Sequence, residues 1–453
     1  MTKDALRDAE DIFRAGLARV DPLGMMERIL SLDGDVLRVR TESESFAYDL
    51  SSYGRIIVLG AGKASARMAL GLERLLGKRI TGGIVAVKEG HLEDLAHVRL
   101  IEAAHPVPDE RSVRAAEAVL EEAGKARPND LVIVLVSGGG SAILAAPYKD
   151  ETHALTLEDK QAVTLKLLAS GASIQEINCV RKKLSRIKGG RLAQAIAGAD
   201  VLSLILSDVI GDDLDAIASG LTVPDSTTCT DAYGVIERYG LSGKIPASAE
   251  AVLRDGAKGC LPEAPGCGDK AFDTVRTVLI GTNQQALLAA RDKARELGYD
   301  TLLLSSHLTG EAREIAGVFL GVAKDIAAHG MPVKRPACVI AGGETTVTLR
   351  GQGKGGRNQE MALAYLAGLE RSPKDAREAV FLAASTDGSD GPTDATGAFA
   401  SAGILDEGLQ KGLKPAAFLA HNDAYHYFDK LGWLLKTGPT NTNVCDIQVL
   451  LVP

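Results

Sequence analysis

Four glycines stand within six residues, Gly351, Gly353, Gly355 and Gly356, threaded by Lys354 and closed by Arg357. A short apolar run, Cys338 to Ala341, precedes them, followed by Gly342-Gly343-Glu344 and an alternating segment, Thr345 to Leu349, that reads as a strand. A helical pattern opens at Asn358. Glycines let main-chain N–H groups approach an anion with no Cβ in the way, and a helix N-terminus adds partial positive charge. With two cations alongside, the segment reads as a site for phosphate or another small anion. A glycine-rich hairpin with surface cations is the alternative.

Two more glycine clusters sit at the ends of apolar runs. Asp130 to Val136 leads into Ser137-Gly138-Gly139-Gly140-Ser141, and Arg55 to Leu59 leads into Gly60-Ala61-Gly62-Lys63. Both suit backbone-lined anion cradles between a strand and a helix. Arg181 and Lys188 lie on a polar stripe beside the apolar positions Ile174, Ile177, Val180, Leu184 and Ile187, in a helix expected to open at the Ser173–Glu176 capping box and stop at Gly189-Gly190. That places them on a cleft wall or on a solvated flank. Asp387, Asp390 and Asp394 in a glycine loop, and Asp208 after another strand, are oxygen ligands of the kind a hard divalent cation takes, or caps of turns and helices.

Other chemistries lack their residues. Gly62-Lys63 has neither the earlier glycine nor the following Ser/Thr of a Walker A loop. Gly60-x-Gly62-x-x-Ser65 is an imperfect dinucleotide fingerprint, although Glu89 follows the second strand where an acid is expected. There is no G-x-S-x-G elbow, no H-E-x-x-H and no C-x-x-C. Cations, glycine cradles and oxygen ligands remain, a set that matches phosphoryl transfer, where catalysis is mainly positioning and charge stabilisation.

The elements that must carry these groups alternate. Strands are expected at Arg55–Leu59, Gly83–Val87, Val98–Ala103, Asp130–Val136 and Val201–Leu206, with helices after Ser65 and over Glu110–Ala123, and residues 155–198 helical. That order predicts a Rossmann-like, mostly parallel sheet flanked by helices, binding ligands at the carboxyl ends of its strands. A second α/β unit follows, with strands at Thr277–Ile280, Thr301–Leu304, Val380–Ala384 and Asp446–Val452. Glycines and prolines mark residues 241–272 as a linker, giving domains of 1–240 and 273–453.

Net charge is −8, the wrong sign for a protein living on nucleic acid or an anionic membrane, and neither partner is expected. The N-terminal MTKDALRDAEDIFRAGLARVDP is an amphipathic helix without the apolar core of a signal peptide. The six cysteines show no paired spacing, and a cytoplasmic protein with reduced thiols is expected. Oligomeric state is not legible.

Taken together, VLGAGKAS (58–65), HPVPDERS (105–112), VSGGGSA (136–142), GASIQEINCVRKKLSRIKGGRLA (171–193), SDVIGDDLDAIASG (207–220), GGETTVTLRGQGKGGRNQE (342–360) and STDGSDGPTDATG (385–397) are similar to the class II glycerate kinases, the glycerate 2-kinases with a C-terminal MOFRL domain. The resemblance spans nearly the whole chain, in the family's order. It implies two α/β domains with the site in the interdomain cleft, and ATP- and Mg²⁺-dependent phosphorylation of D-glycerate at its 2-hydroxyl. It also carries the family's catalytic lysine and arginine onto Lys63 and Arg357. On that reading one of the loops 137–141 and 351–357 takes the glycerate carboxylate and the other the nucleotide phosphates, with Asp208, Asp387 and Asp390 as magnesium candidates. An NAD(P)H-dependent hydroxypyruvate reductase is the runner-up, since family members have carried that label, and a non-catalytic sensor of small organic acids is a third class.

Overall fold

The computed structural model describes residues 2–42, 44–196, 198–372 and 376–453. Met1 and Ala197, which the expected N-terminal helix and the 155–198 helical stretch include, lie outside them. The chain divides into two compact units, residues 25–280 and residues 1–24 with 281–453.

The 25–280 unit is built on six strands, β1 (Arg55–Ala61), β2 (Gly82–Lys88), β3 (Arg99–Ala103), β4 (Asp130–Val136), β5 (Asp200–Leu206) and β6 (Val275–Gly281), in the spatial order β3-β2-β1-β4-β5-β6. The first five run parallel. Helices on both faces explain why the central strands are continuously apolar: every residue of β4 is buried, and Ile57, Leu59, Val132, Val134 and Val136 share one core with Ala115, Ala116 and Val119 of the helix Glu110–Ala123. Strand order reverses between β1 and β4, so the crevice outside their carboxyl ends is where such a sheet binds ligands. A three-stranded antiparallel sheet over residues 30–49 was not expected from the sequence.

The second unit has β7 (Asp300–Leu308), β8 (Ala337–Gly343), β9 (Val380–Ser385), β10 (Gly397–Ser401), β11 (Leu434–Leu435) and β12 (Asp446–Val452), in the order β7-β8-β12-β9-β10-β11. Only the β7–β8 pair is parallel. The helix Arg357–Arg371 is buried along nearly its whole length, with Tyr365 stacked 5.0 Å from Phe381 of β9.

Four expectations are corrected. Residues 241–272 are no linker: Ala247–Ala257 is a helix, and Leu241, Ile245, Ala249, Val252 and Leu253 are part of an apolar core. The N-terminal helix Thr2–Arg19 packs in the second unit against Asn283–Glu296, a partner too distant in sequence for local pattern to reveal. The segment 345–349 makes a single bridge, Thr346 to Glu311, and leaves Leu349 78% exposed rather than forming a strand. The helix opening at Ser173 stops at Lys183, leaving Ile174 exposed and Lys188 beyond its end.

Candidate active site

The β1 and β4 loops are laced together at the switch point. Lys63 donates its N–H to the Gly138 carbonyl (2.9 Å), and Ala64 N–H is accepted by Ser137 Oγ (3.0 Å). Ser65 Oγ bonds both Ser137 Oγ (3.0 Å) and the Leu135 carbonyl (3.2 Å). Gly139 sits at φ +82°, a left-handed turn that turns the chain into the short helix Gly140–Ile143. A Cβ there would stand 2.9 Å from His105 Cδ2 and 3.4 Å from Lys63 Cγ, and one at Gly138 would stand 2.3 Å from Asp208 Oδ2. Lys63 after β1, His105 after β3, the glycine loop after β4 and Asp208 after β5 therefore meet at one place. Sequence reasoning did not single out His105; its position two residues past the end of a parallel strand was the available signal.

Behind this loop Lys188, fully buried, donates from Nζ to Ser141 O (2.6 Å), Ser141 Oγ (3.0 Å) and Leu144 O (3.2 Å). Burial, then Arg181 and Lys160, push its pKa well below the ordinary lysine value. Ser141 Oγ also contacts Ser219 Oγ (2.8 Å), which reaches Asn178 Oδ1 (3.4 Å), three residues before Arg181 on one helix. Lys188 thus lies against the 137–141 loop, while Arg181 follows Asn178 by about one turn on the helix Ile174–Lys183. Their neighbours Lys182 and Lys183 were missed. Lys182 Nζ lies 2.6 Å from Asp215 and 2.9 Å from Asp225, while Lys183 Nζ lies 2.9 Å from Asp225 and 3.2 Å from Glu263. Burial raises the Asp225 pKa, but Lys183 and Thr227 outweigh it and hold it at about 2.

In the other unit Arg357 opens the helix Arg357–Arg371. Its Nε and Nη2 clasp the two carboxylate oxygens of buried Asp446 (2.6 and 2.9 Å), and Nη1 lies 2.8 Å from Glu344 Oε1. Burial disfavours the guanidinium charge, yet Asp446 and Glu344 more than offset this and raise its pKa. Asp390, expected as a metal ligand, instead caps this helix. Its oxygens accept from Asn358 N (3.1 Å), Gln359 N (2.8 Å) and Gln359 Nε2 (3.1 Å), and burial pushes its pKa up to about 6. A wholly buried carboxylate so engaged does not fit a magnesium ligand. Asp387 Oδ1 accepts from Ser385 Oγ (2.9 Å) and Ser389 N (3.0 Å), holding its own turn.

In the loop 351–356 four main-chain donors from residue 350 onward are met by protein oxygens. Gly353 N–H is accepted by the His421 carbonyl (2.9 Å), Lys354 N–H by Asp423 Oδ1 (2.9 Å), and Arg350 and Gly351 N–H by Asn422 Oδ1 (2.7 and 3.0 Å). The glycines permit that packing: a Cβ on Gly353 would stand 2.4 Å from Asp423 Cβ. Lys354 Nζ lies 4.3 Å over the Tyr425 ring. These donors face protein oxygens, as the amides of Lys63 and Ala64 do at the switch point.

Among the described residues, no cluster of three or more His, Cys, Asp or Glu is placed to hold a metal, and no helix is long and apolar enough to cross a membrane. Residues 8–254 match the family described as "Domain of unknown function (DUF4147)", and residues 337–446 match the MOFRL family. A D-glycerate 2-kinase of Thermotoga maritima is 41% identical, covering 88% of this chain and 91% of its own. A putative hydroxypyruvate reductase of Agrobacterium vitis is 43% identical, covering 88% and 87%. The crystal structure of the Thermotoga maritima glycerate kinase superposes with a TM-score of 0.85 at 36% identity over 99% of both chains.

Proposed function

We propose that this chain, which belongs to the glycerate 2-kinase family with a C-terminal MOFRL domain, transfers the γ-phosphoryl group of ATP to the 2-hydroxyl of D-glycerate. The observation that carries the reading is the convergence of Lys63, His105, Asp208 and the 137–141 loop at the carboxyl ends of four parallel strands. In such a site the protein mainly positions the reactants and neutralises charge developing on the transferred group. Lys63 supplies positive charge in the 25–280 unit. Arg357, in the second unit, is proposed as a catalytic cation on the family resemblance, and Asp446 and Glu344 fix its guanidinium plane. The 137–141 loop receives the carboxylate of the acceptor. Asp208 and Asp387 are each proposed as carboxylates that would hold Mg²⁺, which would supply charge screening for the nucleotide phosphates. The protein works in the cytoplasm on a small-molecule substrate.

Hydroxypyruvate reduction is the second reading, favoured by the name of the Agrobacterium relative. Against it, Gly62 is pressed on Ser137, where a Cβ would fall 2.1 Å from Oγ, and buried Ser65 bonds the neighbouring strand end. Those contacts occupy the close approach that a dinucleotide pyrophosphate would need. Lys63→Ala is expected to lower kcat about 10³-fold with the fold intact, roughly 4 kcal/mol of transition-state stabilisation. Turnover near the wild-type rate in that variant would remove Lys63 from the mechanism.

A further inference from the structure

Two buried residues of the 207–220 segment hold a backbone conformation that side chains avoid. Ala218 and Ser219 stand at φ +50° and +59°, just ahead of Gly220 at +63°. A Cβ in this left-handed region is strained, and glycine is the residue that adopts it freely. The turn is clasped from outside, Gly189 N–H donating to the Ser219 carbonyl (3.0 Å) and Gly190 N–H to the Gly220 carbonyl (2.6 Å). Strain of this kind persists only where the surroundings over-determine it, and it gathers at functional sites. Both strained side chains reach the glycine loop after β4. Ser219 Oγ lies 2.8 Å from Ser141 Oγ, and a Cβ on Gly140 would stand 3.0 Å from that of Ala218. The same segment brings Asp208 against Gly138, so one stretch of chain brackets the loop at both ends. Ser219 donates its hydroxyl proton to Asn178 Oδ1 (3.4 Å), which leaves Ser141 to donate to Ser219 and to accept from Lys188 Nζ (3.0 Å). Lys188 holds the Ser141 carbonyl as well (2.6 Å). Fixed at hydroxyl and carbonyl alike, Ser141 fixes the glycine peptides before it.

We propose that Ser219 is a positioning residue for the acceptor acid: its hydroxyl, presented by the strained turn, sets Ser141 and with it the 137–141 loop that takes the carboxylate. The inference deepens the kinase reading and rests on it for the identity of the acid. A turn with no task beyond its own geometry would be better served by glycine at 219, as Gly220 shows one residue on. Replacing Ser219 by Gly therefore relaxes the backbone and impairs recognition, two effects of opposite sign that a packing role would not separate.

The test compares full-length wild type, Ser219→Gly, Ser219→Ala, Ser141→Ala and the double variant Ser141→Ala with Ser219→Gly. Each is measured by steady-state phosphorylation of D-glycerate, by calorimetric titration with D-glycerate and with ATP, and by thermal unfolding. The positioning role predicts KM and Kd for D-glycerate raised about three- to tenfold in both Ser219 single variants, the loss of one hydrogen bond, with ATP affinity unchanged. Ser219→Gly should unfold at a higher temperature than Ser219→Ala, because only glycine relieves the turn. In the Ser141→Ala background Ser219→Gly should weaken D-glycerate binding no further, since Ser219 acts through Ser141. Unchanged D-glycerate affinity, loss of ATP affinity in its place, the reverse order of unfolding temperatures, or losses that simply add in the double variant would overturn the proposal. If D-glycerate binding weakens in the variants as expected yet wild type makes no phosphoglycerate, the positioning role stands and the kinase reading falls. If phosphoglycerate forms with wild-type KM in both Ser219 single variants, the positioning role falls and the kinase reading stands.

Discussion

Replacing Arg357 by Ala would strip buried Asp446 of both hydrogen bonds from its bidentate partner and Glu344 of its ion pair. The Asp446 side chain has no exposure, whereas that of Arg357 retains 27%. Breaking a buried pair by deleting one partner costs about 3–5 kcal/mol, and the partial exposure of Arg357 places this case near the lower end, about 3 kcal/mol. In a unit of this size each kcal/mol moves the midpoint by roughly 2–4 °C, so a fall of about 6–12 °C is expected. Differential scanning calorimetry at pH 7 reads it directly. Asp446→Asn in the Arg357→Ala background should recover much of the loss, because no unpaired charge then remains. A midpoint within 1 °C of wild type would refute the claim that Arg357 neutralises Asp446. The same experiment governs how activity is read: turnover of Arg357→Ala reports on catalysis only well below its own lowered transition.

One pH dependence follows. Asp225, held at about 2, contributes stability that is present above the ordinary aspartate value near 3.8 and is lost as pH falls through about 2. At about 1.4 kcal/mol per pKa unit this amounts to no more than about 2.5 kcal/mol, and urea unfolding between pH 5 and 2 should show it in wild type and not in Asp225→Asn.

What the sequence disclosed was what depends on neighbours along the chain. Continuous apolar runs closed by glycine, such as Asp130–Val136 and Val380–Ser385, became central strands because burial on both faces needs no alternation. Ser173 and Glu176 cap a helix start as their spacing requires. The alternation of strands and helices implies a parallel order, which puts Lys63 and the 137–141 loop at one end of one sheet. What stayed hidden depends on distant partners. The glycines of 351–356 look the same whether their amides meet a phosphate or Asn422 and the His421 carbonyl, and Asp390 looks like a metal ligand until the helix N-terminus that it caps is seen. Residues 241–272 carry the composition of a linker, yet Leu253 and its neighbours find an apolar core.

The central claim is tested most directly by incubating the protein with ATP, Mg²⁺ and D-glycerate and reading the products by phosphorus NMR. The reading predicts ADP together with a phosphomonoester resonance matching 2-phosphoglycerate. Exclusive formation of the 3-phosphate would contradict the assigned hydroxyl, and no glycerate-dependent ATP consumption, with NADH oxidised by hydroxypyruvate instead, would contradict phosphoryl transfer itself.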